Sequence, residues 1–316
     1  YLSPDPQVLV SKIQRESFTE SFTAVDRHHT RANIKIQDGC DFYCAFCVIP
    51  FARGPARSRL FEDIIREAKD LVKAGHKELV LTGVNIGTYE CHGKVFIHIV
   101  DALNDIQGLD RVRISSIEPT TIPDAIFDYM ADANHNLCRH LHIPLQSGHD
   151  SILKSMARKY TMAEFNEFIN MAHDKVPGIC IGTDIIVGFP GETSDFFKGS
   201  CDTLQNGVLD YAHVFSYSER QFARSKKLAD QVPVNEIKQR SEILRTISQR
   251  KKQLFLNDQL GSKQTVLFEQ YKDGYWIGLT DHYLKVYYKS DSVKDLKNSV
   301  LSLDISDIYK DGALSS

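Results

Sequence analysis

From Ala32 to about Lys252, short apolar runs alternate with stretches whose apolar residues recur at helical spacing. This is the pattern of repeated strand–helix units that build a parallel sheet. Six strands are predicted, at Ala32–Gln37, Glu78–Thr82, Arg111–Ser115, Leu141–Leu145, Ile179–Val187 and Tyr211–Tyr217. Between the first two lies a helix over Phe61–Ala74, with Ile64, Ile65, Ala68, Leu71 and Val72 on one face and Gly75 as its stop. Another begins at Thr161, where Thr161 and Glu164 have capping-box spacing. A last long helix, Asn235 to about Leu256, turns Ile237, Leu244, Ile247 and Leu254 inward; Lys238, Arg240, Arg245, Arg250, Lys251 and Lys252 read as its solvated face.

After Gly261 the period shortens to two. The segments QTVLFEQ, YWIGLTD, YLKVYY and VLSLDIS predict a small antiparallel β-barrel of about 55 residues. The expected α/β architecture is therefore a partial (βα)6 parallel barrel over 31–258 and a small β-barrel over 259–316, with the aperiodic residues 1–30 as a linker remnant. In parallel barrels chemistry collects in the loops that follow the strands, because these share one mouth. The unusual segments fall there: a cysteine loop after strand one, TGVNIGTY, SSIEP, QSGHD and GFPGET after strands two to five, and SER after strand six. Six strands leave the barrel partly open, so a large substrate could reach the mouth from the side.

Composition narrows the setting. The 316 residues suffice for a large and a small domain, and no apolar run approaches the roughly 20 residues of a membrane span. No secretory signal is evident, and an odd count of seven cysteines is unlike a disulfide framework, so the expectation is a cytoplasmic protein with no membrane partner. A net charge of -3 gives no global attraction for nucleic acid, so RNA binding would need local basic surface.

Three of the seven cysteines, Cys40, Cys44 and Cys47, stand within eight residues as C-x3-C-x2-C. Three thiolates so spaced can bind three irons of a 4Fe-4S cluster and leave the fourth iron open to the amino and carboxylate groups of S-adenosylmethionine. Structural zinc is the competing reading, but it normally takes four ligands and a second cysteine pair is lacking; a chance grouping without a ligand is the third. Cys91, Cys138, Cys180 and Cys201 are scattered, and Cys91-His92 alone among them suggests a ligand pair. Arg53, Arg57 and Arg59 follow the cysteines and suit phosphate or carboxylate, or form a solvated basic loop.

The cysteine loop, the six units and GFPGET resemble a radical S-adenosylmethionine enzyme. KIQDGC, IPFARGPARSR, LTGVNIGTY, RISSIEP and LHIPLQSG resemble its methylthiotransferases, closest to the branch acting on tRNA N(6)-threonylcarbamoyladenosine at position 37, beside the anticodon. Other branches act on isopentenyl-adenosine or on a ribosomal-protein aspartate. The C-terminal part, with GLTDHYLKV, resembles the RNA-holding TRAM domain. The resemblance makes Cys40, Cys44 and Cys47 the cluster ligands, sets Phe46 against cluster and adenine, and lets Gly83 bring backbone to the methionine amino group. It assigns Glu118 and Gln146 to ribose or methionine, although both are also read as polar groups satisfied within the sheet. It gives the turn beside the adenine to Gly188, Pro190 and Gly191, in a segment that is also a good strand-to-helix turn.

It further implies tRNA as partner, contacted by Arg53, Arg57 and Arg59 and by Tyr275, Trp276, Tyr283 and Lys285, among the Tyr, Trp and Lys residues of the small barrel, about half of which should be core. A reductant protein and a sulfur source are implied, with the chain acting as a monomer. A second 4Fe-4S cluster is expected only in a full-length form, whose N-terminal domain brings three more cysteines; without it the chain could be a catalytically incomplete RNA-binding fragment. One segment departs from the pattern: after the arginine of YSERQFARSKKLADQVP the family usually shows a Pro-Gly turn, and Phe222 to Lys227 stand there instead.

Overall fold

A computed structural model describes residues 15–20, 30–289 and 295–315. Six parallel strands carry the first part: β1 Arg31–Lys35, β2 Glu78–Thr82, β3 Arg111–Ile114, β4 His140–His142, β5 Cys180–Val187 and β6 Tyr211–Ser216. β1, β2 and β3 form one ladder, and β4, β5 and β6 another. The two join through a parallel bridge between Val112 and Leu137, so the spatial order is the chain order. Among the described residues no ladder links β6 to β1, and the barrel stays open on that side. The strands start and stop within a few residues of the expected places. The fourth is shorter, since past His142 only single bonds such as Gln146 N to Asp184 O continue the pairing.

A short helix, α1 Ile49–Ala52, lies in the loop after β1, and the others flank the strands: α2 Phe61–Lys73, α3 Phe96–Asn104, α4 Ala125–Ala131, α5 Asp150–Ser155, α6 Met162–Lys175, α7 Ser194–Asn206 and α8 Val234–Asp258. α2 ends where Gly75 takes a φ of +105°, a left-handed conformation that glycine adopts at no steric cost. α6 begins with the expected reciprocal cap: Glu164 N donates to Thr161 Oγ1 and Thr161 N to the Glu164 carboxylate. α8 buries Ile237 and Leu244 as read, but two of its residues reverse. Leu254 is half exposed, and Arg240 turns inward to an ion pair with Glu192. A charge with a fixed buried partner escapes the solvated face to which spacing assigned it.

The C-terminal part is a six-stranded sheet of β7 Lys263–Lys272, β8 Tyr275–Thr280, β9 Lys285–Tyr288, β10 Val300–Asp304, β11 Asp307–Tyr309 and β12 Gly312–Ser315, in the order β10-β7-β8-β9-β12-β11. Its pairs are antiparallel except β9 with β12. Among the described residues no ladder joins its edges, so the expected barrel is an open sheet around the apolar side chains of Val266, Phe268, Trp276, Val286 and Leu296. It covers the end of the main barrel where the strands begin. Arg111 and Arg113, on β3, donate to the carbonyls of Leu279, Thr280, Thr265 and Asp281, and Arg139 pairs with Asp281 at 2.7 Å. Glu78 at the start of β2 neutralises Arg113 at 2.6 Å, which makes a desolvated charge tolerable there.

Of the predicted linker, residues 1–14 and 21–29 lie outside the described residues. Phe18 bridges to Arg59 beside the barrel, with its N–H on the Ser58 carbonyl. Among the described residues no helix is long and apolar enough to cross a membrane.

Candidate functional site

The mouth is set by how β1 continues. Gln37 and Asp38 pair with Arg57 and Ser58, which closes residues 39–56 into a loop holding all three clustered cysteines. Gly39 turns the chain at φ +72°, and a Cβ there would sit 2.0 Å from the Pro55 carbonyl oxygen. The buried Gln37 side chain stitches this loop to the next one: its amide donates to the Gly39 carbonyl, and its oxygen accepts from Val84 N and Asn85 N.

Cys40, Cys44 and Cys47 are half-buried free thiols. Burial raises the pKa of Cys40 and Cys47, and repulsion among the three adds to the rise, so the group is poorly stable as thiolates without a cationic partner. Among the described residues no three His, Cys, Asp or Glu donors converge as a single ion requires. A multi-iron group that gives each thiolate its own iron fits this donor set. Cys91 is buried beside Ser17 and His92 is exposed, so the suspected Cys91-His92 pair has no ligand geometry.

Around the loop the structure collects most of the expected residues. Phe46 packs in a small apolar cluster with Ala45, Ile152, Met156 and Phe189, which ties the cysteine loop to the turn after β5. In that turn Gly188 and Gly191 take φ of +78° and +84°; Pro190 is buried between them, and the Gly188 N–H donates to the Glu192 carboxylate at 2.7 Å. Arg240 holds the same carboxylate from α8. Gly83 is exposed at the mouth, and a Cβ on it would meet Ile86 and the Gln37 carbonyl, so packing alone already requires glycine. Gln146 is buried with a φ of +75°, a rare conformation for glutamine that costs on the order of 1–3 kcal/mol and is found at binding sites.

Glu118 is joined to a residue the sequence reading missed. Arg158 pairs with the Glu118 carboxylate, donates to the Pro144 carbonyl and reaches Cys44 Sγ at 3.4 Å. Burial pushes the Glu118 carboxyl up against the pull of Arg158, while Arg158 stays charged. Nothing in the local pattern MARKY marks this arginine; only the fold brings it to a cysteine 114 positions away.

The basic residues divide. Arg53 grips Asp38 with two bonds of 2.9 and 2.8 Å and stays half exposed at the mouth; Arg57 shares the same carboxylate at 3.0 Å. Arg59 corrects its expected role. It is 1% exposed, paired with Asp63 and Glu67 under the loop, and unable to reach a ligand at the mouth. In the small sheet Trp276 is buried against Phe268 and Tyr271, so it belongs to the core and not to an RNA face. Tyr283 lies in the seam between the two parts, stacked on His140 and facing Arg113 at 5.0 Å. Tyr275 groups with Tyr287 and Tyr309 near Lys310, and Lys285 pairs with Asp311. A cavity of about 610 Å³ also lies at the seam end, lined by His140, His142, Tyr211, His213, Arg113 and Tyr283. It holds no thiol and stands at the strand starts, opposite the cysteine loop.

Open parallel barrel, three-thiol loop after the first strand and glycine turn after the fifth together define a radical S-adenosylmethionine fold. Residues 34–204 match the Radical SAM superfamily, and the chain belongs to it. That membership implies a 4Fe-4S cluster and S-adenosylmethionine as cofactors. The solved radical S-adenosylmethionine methyltransferase TsrM from Kitasatospora setae, with cobalamin and a [4Fe-4S] cluster bound, superposes with a TM-score of 0.52 at 17% identity, covering 65% of this chain and 41% of that one. The likeness supports the fold alone. The threonylcarbamoyladenosine tRNA methylthiotransferase MtaB of Bacillus subtilis is 34% identical over 306 residues, 94% of this chain and 66% of that protein. The tRNA-2-methylthio-N(6)-dimethylallyladenosine synthase of Alkaliphilus oremlandii is 37% identical over 225 residues, 69% of this chain and 47% of that protein. The chain thus spans about half to two thirds of the length of these curated relatives.

Proposed function

We propose that the chain is the radical and RNA-binding part of a tRNA methylthiotransferase. Its reaction would replace the hydrogen on C-2 of N(6)-threonylcarbamoyladenosine, at position 37 beside the anticodon, with a methylthio group. The observation that carries this reading is the extent of similarity. The match to the threonylcarbamoyladenosine enzyme of Bacillus subtilis runs through 94% of the chain and that of Aquifex aeolicus through 83%, whereas the matches to dimethylallyladenosine enzymes cover 64% to 80%.

Cys40, Cys44 and Cys47 would hold the 4Fe-4S cluster. When bound, cluster and S-adenosylmethionine supply one-electron cleavage to a 5′-deoxyadenosyl radical. The chain's own residues do the rest. Arg158 compensates thiolate charge at Cys44 and fixes Glu118 for the ribose or methionine moiety. The strained Gln146 and the turn at Gly188, Pro190 and Gly191 present backbone to the nucleoside. Phe46 excludes water from one side of the thiol loop. The sulfur source, a second cluster in a full-length form, a reductant protein, a monomeric state and a cytoplasmic location belong to the same proposal.

Nucleosides from tRNA of cells with and without the gene test the reading by mass spectrometry. Loss of the 2-methylthio derivative of N(6)-threonylcarbamoyladenosine alone supports it. Loss of only the isopentenyl-adenosine derivative moves the chain to the other branch, and loss of neither overturns the RNA assignment.

A further inference from the structure

Three aromatic rings stand exposed beside the cysteine loop. Tyr43, between Cys40 and Cys44, Phe51 on α1 and Phe222 after β6 are 47%, 58% and 63% exposed. Their centroids form a row, with 6.4 Å from Tyr43 to Phe51 and 6.3 Å from Phe51 to Phe222. The row is held from beneath. Ala223 and Ser225 are buried, Ser225 N donates to the Ala45 carbonyl at 2.9 Å, Tyr217 donates to Ser225 Oγ at 3.0 Å, and Arg224 reaches the Tyr43 carbonyl at 2.5 Å. The neighbours of Phe222 are thus locked into the protein while its ring faces out. Rings held in water by a rigid support mark a contact surface.

Charge tells what covers them. Arg220, Arg224, Lys226 and Lys227 are all exposed around Phe222, and the one acid of that stretch, Glu219, is paired with Lys226 at 3.3 Å. Across the row, Asp41 is paired with Arg15. An excess of cations interleaved with exposed ring faces suits unpaired nucleotides, whose bases stack on any ring and whose phosphates meet the cations.

We propose that Tyr43, Phe51 and Phe222, rimmed by Arg220, Arg224, Lys226 and Lys227, form a stacking platform for the unpaired RNA nucleotides next to the reacting base. The proposal rests on the tRNA reading above and adds the surface that holds the loop. It places an RNA contact in the segment that departs from the family's Pro-Gly turn.

The test is fluorescence anisotropy with a labelled RNA hairpin carrying an unpaired adenosine-containing loop, at two salt concentrations, with unfolding midpoints of all variants measured alongside. Stacking contributes about 1–3 kcal/mol per base, so Phe222→Ala should bind about 5- to 150-fold more weakly with an unchanged salt slope. Phe222→Trp should restore affinity. Changing Arg220, Lys226 and Lys227 together to Gln should reduce the slope by about 2 units on single-stranded RNA. Parent-like affinity in both Phe222→Ala and Phe51→Ala overturns the proposal and assigns the rings to a protein surface, leaving the tRNA reading standing. A parent chain that binds no hairpin overturns both.

Discussion

Asp38 is a single buried carboxylate on which three cations converge, Lys35, Arg53 and Arg57, each within 3.1 Å. Burial alone would raise its pKa, but hydrogen bonds from Arg53, Lys35 and the Gly39 backbone bring it down to about 2. Its contribution is therefore present above the ordinary value of 3.8 and is lost as pH falls from there toward 2. The neighbouring Arg59 is a different kind of arginine. Removing one partner of a buried pair leaves the others uncompensated, so Arg59→Met should cost about 3–5 kcal/mol. The more exposed Arg53→Gln should cost about 1 kcal/mol or less. Urea unfolding of the two variants measures the difference; equal costs would contradict the placement of Arg59 under the loop. Sequence spacing grouped these arginines as one basic loop, although Asp63, four positions past Arg59 in the first turn of α2, is a local signal for a pair.

At the scale of elements, the cysteine loop is a closed unit whose entry needs glycine. Gly39→Ala would force a left-handed alanine against the Pro55 carbonyl oxygen, and the loop must open to relieve it. Iron bound after anaerobic reconstitution should fall well below the parent's, whereas Gly191→Ala, with open space around its Cβ, should cost about 1 kcal/mol of stability and leave iron content near normal. Iron and protein assays on both variants check this; parent-level iron in Gly39→Ala would contradict it. Such elements were legible in the sequence. Strand alternation, the cap at Thr161 and Glu164, and the C-x3-C-x2-C spacing are local signals, and the structure places them close to where they were read. Arg158 and Arg240 were not legible, because each matters through a partner far along the chain, Cys44 and Glu192 respectively.

For the whole molecule the seam between barrel and sheet matters most. It was invisible in the sequence, since two regular patterns do not say which ends meet. His282 is buried there between Thr280 and Gln264, and burial pushes its pKa down to about 4. The unfolded chain then binds more protons between about 4 and the ordinary 6.5, so stability present at neutral pH is lost as pH falls through that window. The loss is at most on the order of 3 kcal/mol for this one group, and His282→Gln should flatten it. The single tryptophan, Trp276, lies in the sheet core, so its fluorescence during unfolding at pH 7 and pH 5 reads the effect directly. Asp210, which burial pushes up to about 7, pulls the other way over the same window, so the shift is compared between parent and variant. An equal shift in parent and His282→Gln would contradict the neutral buried histidine.

The central claim is that the three-thiol mouth, not the seam cavity, is the chemical centre of this chain. Its most direct test is the yield of 5′-deoxyadenosine from S-adenosylmethionine under dithionite, using the anaerobically reconstituted chain and its Cys44→Ala variant. The account predicts product from the parent with about four irons bound, and loss of both iron and product in the variant. Equal product from the two proteins, or none above a cluster-free control from the parent, would contradict it.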